Sequence, residues 1–272
     1  MALSIRQATP GEGVQWLGGA FALFVRRALP FTGMFVSFLV VALLASVVPV
    51  VGGVVMLMAL PLLSLGFMLA SRAARSDGAV HPGLFIEPLR GDRLQRNALL
   101  TLCGAYALAT VLIMTFSDWV DGGAFERLQR LMAEGEEGHA ELDALLGDPL
   151  LTWGLLTRFG LAALLSLPFW HAPALVYWQG QGVGQALFSS TLAVWRCKGA
   201  FFAYSLAWAA VIAVFGTLLG VLFALFGARQ LAGVVAMPAG LMFSTVFYVS
   251  LLFTYEGCFS DDTAPRLETQ AA

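Results

Sequence analysis

Charges, more than hydrophobic periodicity, punctuate this chain. From Ala28 to Ser71, 44 consecutive residues carry none. As one helix that run would extend about 66 Å at roughly 1.5 Å per residue. A hydrocarbon core is about 30 Å thick, so the run predicts two membrane spans. The turn between them belongs at Pro49-Val50-Val51-Gly52-Gly53, where proline and two glycines interrupt the apolar sequence. Four more apolar stretches follow between polar boundaries. The predicted spans are therefore six, at about 29–48, 52–71, 97–117, 157–178, 200–224 and 232–255.

Between the third and fourth spans, residues 118–150 form an acidic loop in which Phe125, Leu128, Leu131 and Met132 recur at helical spacing. Two short helices are expected there. Glu136, Glu137, His139, Glu141 and Asp143 lie close together in this loop. Flanking Gly135 and Gly138 do not preorganise ligands, so a solvated acidic face is expected and no metal site. Residues 257–272 read as a polar tail.

Composition turns this pattern into a fold class. Hydrophobic residues make up 59% of the chain and charged residues 12%, against roughly 25% charged in a soluble domain. Mean hydropathy is +0.81. The class is all-α and polytopic, one membrane domain over residues 1–272. Soluble enzymes, nucleic-acid binders and secreted disulfide scaffolds are excluded. Cys103, Cys197 and Cys258 are odd in number and widely spaced, which fits reduced thiols and not a framework. Met1 to Glu12 is polar and has no cleavable-signal pattern.

Orientation follows from the basic residues beside the spans. With the N-terminus inside, Arg6, Arg26, Arg27, Arg72, Arg75, Arg90, Arg93, Arg96, Arg196, Lys198 and Arg266 are cytosolic. Arg127, Arg130, Arg158 and Arg229 fall outside. Both termini are expected in the cytosol of a bacterial inner (cytoplasmic) membrane.

An internal repeat refines the picture. Val14, Leu17, Phe21, Phe24 and Val25 form one face of a helix that precedes the first span. A shift of 170 residues sets Gln15 on Gln185, Leu17 on Leu187, Arg26 on Arg196 and Phe31 on Phe201. Leu84 to Arg96 reads as a weaker third copy. The expected architecture is three transmembrane hairpins, each preceded by a cytosolic interfacial amphipathic helix. Arg26, Arg27, Arg93, Arg96, Arg196 and Lys198 would then form a belt on anionic headgroups, making membrane lipids the expected partners.

Candidate chemistry is sparse. No acidic residue lies at depth, Ser166 and His171 are about 140° apart on a helix, and no HExxH pattern occurs. No catalytic residue and no cofactor is expected. The informative segment is Ser166-Leu167-Pro168-Phe169-Trp170-His171-Ala172-Pro173. Pro168 and Pro173 each remove a helical donor, and in hydrocarbon the freed carbonyls must find neighbours, water or a ligand. A small polar pocket lined by Trp170 and His171, flanked by Pro168 and Pro173 and at the depth of Pro61, is one outcome. A packing kink satisfied by Ser or Thr hydroxyls is the other.

Several stretches carry a resemblance. They are Gln15-Trp16-Leu17, Pro61-Leu62-Leu63 running to Gly66-Phe67-Met68, Asp121-Gly122-Gly123, Phe169-Trp170 with Ala172-Pro173-Ala174-Leu175, Ala186-Leu187-Phe188-Ser189, Trp195-Arg196 with Lys198-Gly199-Ala200-Phe201, and Tyr255-Glu256-Gly257-Cys258-Phe259. In this order the chain resembles an uncharacterised family of six-span proteobacterial integral inner-membrane proteins, from about Gly13 to Phe259. That resemblance implies an inner-membrane location and supplies no reaction. Two functions are compatible with these observations. One is a non-catalytic accessory or scaffold protein organising lipids or an inner-membrane protein partner. The other is an uncoupled facilitator or binder of a lipophilic or amphipathic small molecule.

Overall fold

The structure, a computed structural model, describes residues 3–134, 139–226 and 231–261. Six of its helices are long and apolar enough to cross a membrane. They are α2 (Ala28–Ser46), α3 (Val51–Arg75), α4 (Arg93–Asp121), α7 (Pro149–Phe169) continued by α8 (Ala172–Gln179), α10 (Lys198–Leu225) and α11 (Leu231–Cys258). The shorter helices are α1 (Pro10–Arg26), α5 (Ala124–Glu134), α6 (His139–Leu146) and α9 (Val183–Arg196). Strands β1 (Leu3–Ile5) and β2 (Phe259–Asp261) pair antiparallel, with Ser4 opposite Ser260. Glu136, Glu137, Arg229, Arg266 and the tail from 262 onward lie outside the described residues.

The α2–α3 turn falls at the expected proline and glycines. Val50 takes a left-handed φ of 64°, and Gly52 lies so close to α2 that a Cβ there would come within 1.8 Å of the Ala45 carbonyl. At the far end of α4 the helix outruns the expected span by four residues. Asp121 is fully buried and accepts from the Gly123 amide at 2.8 Å. Arg158 of α7 reaches back to Asp118 at 2.6 Å and Asp121 at 3.4 Å, and lies 4.0 Å from the Phe125 ring centre. One guanidinium thus ties α4, α5 and α7 together at this end.

Helix α1 starts at Thr9-Pro10-Gly11-Glu12, where the Thr9 amide donates to Glu12 Oε2 at 2.7 Å and Pro10 needs no acceptor. It packs against both α10 and α11 through Gly13, Trp16, Leu17, Ala20, Leu23 and Phe24. The helical period is the expected one, but the buried face is rotated. Val14 and Val25 are exposed, while Trp16, Ala20 and Leu23 take the centre. The rotation follows from contact: Trp16 meets Phe201 edge-on at 5.4 Å, and Gly257 has no side chain because the Trp16 indole occupies that space.

At Arg26 and Arg196 the two repeat copies agree. Both α1 and α9 end there, one residue breaks the helix (Arg27 or Cys197), and a long helix follows. The third copy differs. Leu84 to Arg96 is not one helix: two 3₁₀ turns, Pro82–Phe85 and Glu87–Arg90, precede an α4 that begins at Arg93. Pro82 and Pro88 lack the amides an α-helix would need, and Asp92 caps α4 by accepting from Leu94 N at 3.3 Å. Arg93 and Arg96 therefore lie in the first turn of α4 and do not close an earlier helix.

The two described ends of the chain meet on one face. Arg6 N donates to the Cys258 carbonyl at 2.9 Å, extending the β1–β2 pairing. Arg27 pairs with Asp77 at 2.7 Å, and Arg75 pairs with Glu256. These tie the α1–α2 break to the end of α3, and α3 to α11.

The contact of α1 with α10 is testable. A Cβ on Gly13 would sit 2.0 Å from the backbone oxygen of Ala200, whereas Gly11 faces open space. Gly13→Ala should cost about 1–3 kcal/mol, read as a lower melting temperature in detergent, while Gly11→Ala leaves it unchanged.

Candidate functional site

The segment between Pro168 and Pro173 is where the fourth span breaks. Pro168 stands in the last turn of α7 and Pro173 in the first of α8, with Trp170 and His171 between the helices. The break is closed by a side chain from another helix. Ser190 of α9 accepts from the His171 amide at 3.0 Å and donates to the Leu167 carbonyl at 2.9 Å. Those two groups are four residues apart and would bond each other in an unbroken helix. The hydroxyl is inserted into the ladder and satisfies both partners.

Thr254 of α11 secures the two side chains of the break. It donates to the Leu251 carbonyl at 2.8 Å, which commits its one proton. The Trp170 indole donates to Thr254 Oγ1 at 3.1 Å. His171 Nε2 stands 3.2 Å from the same oxygen and therefore donates to it. That leaves Nδ1 as the bare nitrogen, buried with no hydrogen-bond partner among the described residues. Around the fully buried His171 ring stand Phe201, Tyr255 and Phe259, with centres 5.4–6.1 Å away.

Two cavities adjoin the break. One, of about 160 Å³, lies among Leu60, Pro61, Ser64, Tyr106, Ser166 and Trp170. The other, of about 750 Å³, opens between α10 and α11, its walls including Phe35, Trp170, Tyr204, Trp208 and Phe243. Trp170, Phe247 and Tyr248 belong to both and form the partition between them. Pro61 thus shares a cavity with Trp170, whereas His171, Pro168 and Pro173 line neither. His171 braces α11 instead.

Of the basic residues, Arg26, Arg93, Arg196 and Lys198 are exposed, while Arg27 and Arg96 are partly covered. Arg27 has its partner in Asp77, and Lys198 lies 5.2 Å from the Trp195 ring centre. Two clusters were invisible in the spacing of the sequence. Ser190 and Thr254 are ordinary hydroxyls in the sequence; the prolines marked where the helix breaks, but the carbonyls they free, of Leu164 and Phe169, are not the groups these hydroxyls bond. Cys197 and Cys258, 61 positions apart, meet where the chain ends come together, and the Cys197 thiol donates to the Arg6 carbonyl at 3.2 Å. Its hydrogen bond with Cys258 pulls the Cys197 thiol down to about 7 against the opposing effect of burial, with the Ala8 backbone and the Arg6 charge assisting.

Comparison with known proteins finds a probable inner membrane protein of Burkholderia thailandensis that is 31% identical over 268 residues, covering 97% of this chain and 98% of that protein. No family model and no solved structure matches the chain.

Removing the inserted hydroxyl should be costly. Ser190→Ala leaves a buried amide and a carbonyl unpaired, for a loss of about 1–3 kcal/mol. Ser166→Ala serves as control, since that hydroxyl bonds only Ala163 of its own helix and its loss should be near neutral. Thermal unfolding in detergent separates the two.

Proposed function

We propose that this chain, which belongs to the family of the Burkholderia thailandensis inner membrane protein, catalyses no reaction and acts as an accessory or scaffold protein that organises lipids within the inner membrane. The observation that carries this reading is the pair of cavities at the break. They are built mostly of aromatic and aliphatic side chains, with Ser64, Ser166, Ser205 and Ser244 as sparse polar groups. Such walls suit an amphiphile and offer no acid–base pair for catalysis.

In the accompanying arrangement, both termini are cytosolic and the spans form three hairpins: α2 with α3, α4 with α7–α8, and α10 with α11. Helices α1 and α9 lie at the cytosolic interface with their basic ends toward headgroups. The excess of basic residues on that side supports the orientation. The second reading, an uncoupled facilitator, requires a path that opens and closes through the membrane. Against it stand the bonds of Ser190 and Thr254, which a moving break would have to surrender in hydrocarbon.

Two measurements test this. Reporter fusions after Asp77 should read cytosol and fusions within residues 134–141 should read periplasm; a cytosolic reading in the loop overturns the six-span orientation. Protein extracted in mild detergent should retain phospholipid, seen by native mass spectrometry and lipid extraction. Lipid-free protein that instead equilibrates an amphiphile across vesicle membranes overturns the scaffold reading for the facilitator.

A further inference from the structure

Helices α10 and α11 are consecutive yet barely touch. Phe243 bridges them, with its ring centre 5.1 Å from that of Phe215 and 6.2 Å from that of Trp208. Helix α1 packs along both helices. On the side of α2 and the α7–α8 break the separation leaves the cavity of about 750 Å³, within the range of roughly 300–1,000 Å³ that holds a bound small molecule.

The α10 wall of this cavity has a definite direction. At about 100° per residue, Phe202, Ser205, Ala209 and Ile212 all lie within roughly 40° of Lys198. Ser205, Ala209 and Ile212 line the cavity. The same face continues through exposed Phe202 to exposed Lys198 at the first turn of α10. Lys198 stands about 10 Å along the axis from Ser205. A stripe therefore runs from a cation at the end of the membrane span, past a hydroxyl, into an aromatic-walled cavity.

Two further observations bear on what fills it. Arg6, Arg27, Arg75 and Arg158 each have a carboxylate partner. Among the described residues, Arg196 and Lys198 have none, as is also true of Arg26, Arg72, Arg90, Arg93, Arg96, Arg127 and Arg130; Lys198 differs from these in standing on the cavity-lining face of α10. Within the cavity wall, Trp208 is 9% exposed with its indole N–H toward the Tyr204 hydroxyl, while the Ser205 hydroxyl makes no hydrogen bond among the described residues. The Tyr204 hydroxyl is already engaged with Ser250 at 2.6 Å. An occupant that matches this wall brings an anion at the level of Lys198, an acceptor for the Ser205 hydroxyl about two turns deeper, and hydrocarbon below. The 170-residue repeat does not duplicate this set, because Ala28 and Phe35 stand where Lys198 and Ser205 would be.

We infer that the cleft between α10 and α11 is a binding site for one anionic diacyl phospholipid. The phosphate sits on Lys198 and Arg196, the ester carbonyls face the Ser205 hydroxyl, and an acyl chain lies along Ala209 and Ile212 against Trp208 and Phe243. This assignment rests on the lipid-organising reading and makes it specific to one site and one headgroup charge.

The test uses full-length protein delipidated in detergent and titrated with phosphatidylglycerol or with phosphatidylcholine of the same chains, followed by native mass spectrometry. Wild type should take up one phosphatidylglycerol in preference to phosphatidylcholine. Arg196→Gln with Lys198→Gln should weaken the phosphatidylglycerol adduct by about tenfold or more and leave phosphatidylcholine unchanged. Ala209→Phe, at an exposed position that does not threaten folding, should remove the single-lipid adduct of both by filling the cleft. If both variants bind phosphatidylglycerol as wild type does, the site is wrong while lipid organisation elsewhere stands. If the charge variant loses both lipids equally, the anion assignment is overturned. If wild type takes up neither lipid, the lipid-organising reading itself falls.

Discussion

Water is missing from the middle of a bilayer, and every backbone amide and carbonyl there must be satisfied by protein. That constraint acts hardest on the fourth span, where Pro168 and Pro173 prevent a continuous helix. The structure meets it with the Ser190 hydroxyl, which stands between Leu167 and His171 as a surrogate helical bond. Much else follows. For Ser190 to reach the break, α9 must lie against α7 and α8. For Trp170 and His171 to find Thr254, α11 must pass the same point. The indole of Trp170, held there, becomes part of the partition between two cavities. A local break in the helical ladder thus fixes the relative positions of four helices, α7, α8, α9 and α11, and the walls of the candidate site.

A second set of contacts gathers the face where the described chain ends meet. The β1–β2 pairing, the Cys197 and Cys258 thiols and the Arg27–Asp77 and Arg75–Glu256 pairs link α1, α3, α10 and α11. Exposed ion pairs contribute little individually, about 0–1 kcal/mol each. Their use here is positional, holding α1 in the gap that α10 and α11 leave. Arg196 and Lys198 stand outside this network, Lys198 at the first turn of α10 on the face that further along lines the cleft.

Much of the architecture was legible in the chain because membrane spans announce themselves by length and lack of charge. Six spans were expected and six membrane-capable helices are present, with the α2–α3 turn at Pro49–Gly53. What the pattern misplaced has local causes. The facing ends of the third and fourth spans extend into the loop that joins them because fully buried Asp121 pairs there with mostly covered Arg158, and a charge-based boundary stops short of such a pair. The face of α1 was set by Trp16 against Phe201 and Gly257, contacts nearly 200 residues or more away. The third repeat copy lost its helix to Pro82 and Pro88, whose missing amides outweighed an amphipathic pattern. At the site, the prolines signalled that backbone groups would be orphaned. The groups Ser190 serves are instead the Leu167 carbonyl and the His171 amide, not the Leu164 and Phe169 carbonyls that Pro168 and Pro173 leave without a donor, and nothing in the spacing of Ser190 or Thr254 marks them.

The account stands on the break being a closed, satisfied element and not a loose hinge. Residue-resolved hydrogen exchange on the protein in lipid nanodiscs reads this directly at the His171 amide, since Pro168 and Pro173 have none. Protection of His171 comparable to that of mid-helix amides in α7 and α8 is the predicted result. Rapid exchange at His171 while its neighbours stay protected would contradict it, because the Ser190 hydroxyl would then not hold the ladder closed.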